Sequence, residues 1–135
     1  VAPARAAELA GPALRTQSDK LQEAGALALL RSGAPGAVGQ AAGVIRQMGP
    51  GLSKYRLTMN FGAYLARRAT APERAAHLPL LTDMARNHGT WYIRLGAARA
   101  LNFLKEVEPG AATALREIIA AETHPQLKEI YASQF

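Results

Sequence analysis

Three histidines, His77, His88 and His124, are the first residues in this chain that chemistry would use. They are far apart, no HExxH occurs, and a zinc site asks for three or four convergent ligands. The reading is that His88 ends a helix, where a cation meets the negative end of the dipole. His124 is expected at a helix start and His77 on the surface. Ser32 and Ser53 lie outside any nucleophile elbow, and the acids form no evident pair for general acid–base work. Cysteine is absent, which excludes disulfides and thiolate chemistry. No catalytic residue, metal or cofactor is therefore expected in this chain.

Binding chemistry is better represented. Trp91 and Tyr92 stand beside Arg94, and Tyr55, Arg56 and Asn60 form a comparable group one repeat earlier. Aromatic rings next to a guanidinium have the composition of an interaction hot spot. Tyr55, Arg56, Asn60, Trp91 and Arg94 are the candidate binding residues, on neighbouring helices of one layer. The competing reading is that Trp91 simply covers the turn at residues 87–89.

The elements that would position these groups are helices. Nearly half of the 135 residues are hydrophobic, but alanine dominates and aromatics make up only 6%, a composition for closely packed helices rather than a β-sandwich. No run approaches the ~20 apolar residues of a membrane span, so no membrane partner is expected. Charge is uneven. Residues 46–105 carry ten Lys/Arg against Glu73 and Asp83, a net of +8, while the remainder of this +6 chain is net −2. That basic middle would suit an acidic partner, or it is an ordinary solvated face.

Two rulers mark internal repetition. Pro35, Pro72 and Pro109 are 37 residues apart, each before an Ala-rich amphipathic run. Leu21-Gln22, Tyr55-Arg56, Ile93-Arg94 and Leu127-Lys128 recur at 34, 38 and 34. Together they predict four helix pairs with boundaries near 1–17/18–32, 35–48/53–69, 72–88/90–106 and 109–122/124–134. Breaks or kinks are expected at Gly11-Pro12 and Pro79. Ser18, Ser53, Thr70 and Thr90 are read as N-caps, with Gly33 as a left-handed stop. Thr70–Glu73 and residues 123–126 read as capping boxes. The helix over 53–69 is apolar on two sides and should sit centrally. Gly25, Gly39, Gly43, Gly62 and Gly96 fall inside helices, where close approach of a neighbouring backbone would justify them.

From Ile93, the pattern hydrophobic-Arg-x-x-Ala-x-x-Ala-Leu-x-x-Leu runs to Leu104 and resembles the second helix of a HEAT repeat. The fold class this implies is all-α, a HEAT/armadillo-like α-solenoid of four antiparallel helix pairs, with 1–135 one domain of a longer chain. Further segments, YRLTMNFGAYLARR (55–68), TWYIRLGAARALNFL (90–104) and ALREIIAAETHPQLKEIYASQF (114–135), resemble the C-terminal helical domain of certain bacterial aminopeptidase N-type zinc metallopeptidases. The resemblance covers roughly 52–135. That family's catalytic domain carries HExxH and a downstream glutamate, neither of which has a counterpart here. The resemblance implies a non-catalytic domain that packs beside an upstream catalytic domain and helps wall its substrate cleft. Alternatives are a free-standing protein-binding scaffold and, less favoured, a basic nucleic-acid-binding module, for which stacking groups are not evident.

Overall fold

A computed structural model describes residues 3–14 and 18–135, and among them every regular element is helical. The helices are α1 (Pro3–Leu14), α2 (Asp19–Ser32), α3 (Ala37–Gln47), α4 (Leu52–Arg68), α5 (Ala71–Asn87), α6 (Trp91–Leu104), α7 (Pro109–Ala121) and α8 (Pro125–Gln134). The protein is all-α. The expectations for residues 1, 2 and 15–17 lie outside the described residues.

Local chemistry accounts for most of the boundaries. Ser18 caps α2 by accepting from the Leu21 N–H, and Gly33 ends it at φ 68°. Thr70 and Glu73 form the reciprocal capping box that starts α5. Other boundaries depart from the sequence reading. Gly36, at φ 79°, caps α3, so Pro35 sits in the turn before the helix rather than opening it. Gly51 caps α4, which places Ser53 inside the first turn and buries it. Thr90 occupies the N-cap of α6 but its hydroxyl makes no capping bond. His124, not Thr123, caps α8, because the Glu122 carboxylate already takes the N–H groups of Thr123 and His124. Neither proline breaks its helix: α1 runs through Pro12 and α5 through Pro79.

The organising helix is α6. Ile93, Ala97, Ala100, Leu101 and Leu104 are fully buried on one stripe, with Arg94 half-buried beside it. Its principal neighbour is α4, which also packs against α2, α3 and α5 and so takes the central place its two-sided pattern predicts. Leu57, Phe61 and Leu65 form the buried face of α4. Two glycines make the α4–α6 seam possible. A Cβ on Gly62 would overlap the Cβ and Cα of Ala100, and one on Gly96 would come 3.0 Å from the Tyr55 ring. Gly39 and Gly43 differ from the expectation, since a Cβ at either would meet nothing within 4 Å.

Packing follows two rows. α2, α4, α6 and α8 contact one another in sequence, as do α3, α5 and α7. One mark of the repeat ruler fails: Leu21 is 53% exposed, whereas Ile93 and Leu127 are fully buried.

Candidate functional site

The five candidate binding residues begin with two arginines that leave their helices in different directions. Arg56 on α4 grips Glu23 on α2 with both nitrogens, Nε to Oε2 at 2.9 Å and Nη2 to Oε1 at 2.8 Å. Ser53 joins this pair, its hydroxyl 3.4 Å from Arg56 Nη2. Arg94 on α6 grips Glu122, the residue after α7, in the same forked manner at 2.9 and 3.0 Å, and its Nη1 donates to the His88 carbonyl at 2.7 Å. The planar fork of arginine matches a carboxylate in this way, and such pairs fix geometry as well as charge.

The other three candidates are also engaged internally. Tyr55 lies against Gly96 across the α4–α6 seam. Asn60 is exposed and donates to the Arg56 carbonyl at 2.9 Å. Trp91 stacks on His124, with centroids 5.1 Å apart and planes 16° from parallel, and meets Tyr92 edge-on. Trp91 therefore ties the start of α6 to the start of α8.

Around Arg94 the ends of α5 and α7 and the start of α6 form a polar cluster and a half-open cleft of about 260 Å³, walled by Arg86, Asn87, His88, Arg94, Glu122 and Thr123 among others. Burial opposes ionisation of Glu122, but Arg94 and the two backbone N–H groups outweigh it and hold the carboxyl below its ordinary range. Glu23 is likewise held low, chiefly by Arg56. Burial, then the cations Lys54 and Arg94, lowers His88, whose unprotonated Nδ1 accepts from the Thr90 N–H at 3.1 Å. Burial raises the Tyr131 phenol, further opposed by the Glu122 charge, and its hydroxyl has no hydrogen-bond partner. Lys54 is buried too: its Nζ donates to the Met48 carbonyl at 3.0 Å, and desolvation lowers its pKa.

Both Glu122 oxygens and all three Arg94 guanidinium nitrogens are hydrogen-bonded, so this pair is committed to the fold. Among the described residues no three His, Cys, Asp or Glu side chains gather as a metal-ligand set. His77 is not the surface residue expected. It is half-buried, edge-on to Phe61 with centroids 5.6 Å apart, and burial and Arg46 lower its pKa against the pull of Glu73.

Sequence reasoning missed the acids. Glu23 and Glu122 lie 33 and 28 residues from their arginines, and no local spacing announces them. It also missed a second cleft, between the C-terminal ends of α2 and α4, where Arg31, Arg67 and Arg68 converge. No family model matches this chain, and neither a curated protein nor a solved structure matches it.

Proposed function

We propose that this chain is a non-catalytic docking domain, a HEAT/armadillo-like α-solenoid of four antiparallel helix pairs. In this reading it packs against an upstream zinc metallopeptidase catalytic domain and helps wall the substrate cleft there. The observation that supports the solenoid is the pair of packing rows, α2–α4–α6–α8 and α3–α5–α7. Stacked repeats bury a continuous core by contact with their nearest neighbours alone, and present extended surfaces for partners. The saturated polar junction at Arg94 favours bracing over catalysis. For the identity of the partner, the support is the sequence resemblance over residues 52–135, the stretch that becomes α4 to α8.

The upstream reading frame tests this reading first: an HExxH-bearing domain encoded directly before this chain is the expected result. Coexpressed with that domain, the chain should co-elute as a stable complex. The isolated chain should hydrolyse no aminoacyl anilide and hold no stoichiometric zinc. One tightly held zinc per chain would overturn the non-catalytic claim. A frame without HExxH would favour the second reading, a free-standing scaffold for an acidic protein, which the exposed arginines between α2 and α4 support.

A further inference from the structure

Three exposed arginines, Arg31 in the last turn of α2 and Arg67 and Arg68 in the last turn of α4, stand around a half-open cleft of about 180 Å³. The other walls are Leu27, Leu30, Ala63, Tyr64 and Asn60, so no acid lines the cleft. None of the three guanidiniums is ion-paired among the described residues, in contrast to Arg56, Arg74, Arg86 and Arg94, each of which has a carboxylate within 4 Å. A cation in the last turn of a helix complements the dipole. That accounts for basic residues at two helix ends, but not for three of them sharing one apolar-floored cleft without a counterion.

We infer that the α2–α4 cleft is a docking site for a short acidic segment of a protein partner, its carboxylates on Arg31, Arg67 and Arg68 and one aliphatic side chain on the Leu27–Leu30–Ala63 floor. Arginine forks bind carboxylates in a bidentate fashion, and clusters of them read acidic motifs. The floor supplies what charge alone does not: a dry anchor for an apolar side chain beside the salt bridges. Leu30 is buried and Leu27 and Ala63 are half-buried, so the floor is partly open to an incoming group. Nucleic acid fits less well. The one ring in the cleft, Tyr64, already carries the Arg68 guanidinium 5.7 Å from its centroid, which occupies a face that a base would need for stacking. The cleft is also short, whereas a nucleic-acid backbone asks for a longer run of cations.

This inference goes beyond the docking-domain reading and is independent of what lies upstream, because it is tested on the chain alone. The probe is a fluorescein-labelled peptide of Glu and Asp with a single central Leu, followed by fluorescence anisotropy at near-physiological salt. Three controls accompany it: the same peptide with Leu replaced by Ser, a Lys-for-acid peptide, and a single-stranded oligonucleotide of equal charge. The expected result is saturable binding of the acidic Leu peptide. It should weaken at least ~10-fold in Arg31→Ala/Arg67→Ala/Arg68→Ala and with the Ser peptide, and stay unchanged in Arg116→Ala, a surface variant on α7. Matching melting curves for the variants keep a folding defect from imitating lost binding. No saturable binding, or binding indifferent to the three arginines, overturns the proposal. So does an oligonucleotide that binds tighter than the peptide through the same arginines.

Discussion

Replacing Gly62 by alanine adds one methyl group where two helix backbones touch. The new Cβ would overlap the Cβ and Cα of Ala100 and lie 2.9 Å from its carbonyl oxygen. None of these atoms can rotate away, because two belong to the backbone of α6 and the third is bonded directly to it. Relief requires α4 and α6 to part by roughly 1 Å, since carbons sit best about 3.5–4.0 Å apart. The seam so opened is packed by Leu57, Phe61 and Leu65 on one side and Ala97, Leu101 and Leu104 on the other, all fully buried. A gap of that size forfeits about a quarter to a half of each dispersion contact across it. Overpacking of this kind costs about 1–3 kcal/mol, and a rigid seam belongs at the upper end. Alanine returns about 1 kcal/mol of helix propensity. The expected net loss is about 2 kcal/mol.

Urea titration followed by far-UV circular dichroism measures this directly, with Gly39→Ala as the matched control. At Gly39, in α3, a Cβ meets nothing, so the same substitution should stabilise by up to about 1 kcal/mol. Adding Ala100→Gly to Gly62→Ala removes the Cβ–Cβ overlap but leaves the Cα and carbonyl contacts, so it should restore only part of the loss. Gly62→Ala as stable as the parent chain, or more so, would refute the reasoning and mean that the two helices do not approach this closely.

Leu101→Ala should cost about 2–5 kcal/mol, because the fully buried side chain leaves a cavity in the α4–α6 seam; denaturant titration reads it. Glu122 has a folded-state pKa below its ordinary 4.5, so the stability it contributes is present above that value and lost as pH falls through the folded pKa. Melting temperatures across acid pH should therefore decline less steeply in Glu122→Gln than in the parent, from a lower starting point. Thr58 is fully buried with a hydroxyl that has no partner, so Thr58→Val should stabilise by about 1 kcal/mol in the same titration.

Local signals carried the helices, because a cap, a stop or an apolar stripe depends on residues within a few positions of one another. The Thr70–Glu73 box, the Gly33 stop and the α6 stripe are of this kind, and all three stand as read. Errors gathered where one signal competed with another. Ser53 has a capping side chain, yet it serves the Arg56–Glu23 pair from inside the helix while Gly51 takes the cap. Thr123 yields the cap to His124, whose Nδ1 accepts from the Leu127 N–H, while Glu122 takes the Thr123 N–H that a capping box would have used. Gly39 and Gly62 look alike in sequence, and only the neighbour across the seam distinguishes open space from a backbone contact. Arg99, which no local pattern places inside, is half-buried, with its Nε enclosed and its Nη2 bonded to Gln134 on α8.

The basic middle resolves into two populations that composition averages together. Arg56, Arg74, Arg86 and Arg94 each meet a glutamate on, or adjoining, another helix, at separations of 28 to 34 residues. Each arginine thus ties its own helix to another that is distant in sequence, and charge that looked available in the sequence becomes cross-bracing in the fold. Arg94 shows the physical consequence: a side chain 15% exposed and doubly forked cannot greet a partner without releasing a glutamate that is only 5% exposed. Among the described residues Arg31, Arg67 and Arg68 meet no such glutamate, and they stand exposed at an open cleft. If the chain has an acidic partner, attraction should therefore fall mainly on these three, and exchanging Arg56 or Arg94 should disturb stability before it disturbs binding. Measuring both quantities on the same variants separates the two populations. Loss of peptide binding in Arg94→Ala with melting unchanged would reverse this assignment and return the interaction surface to the residues that the sequence first marked.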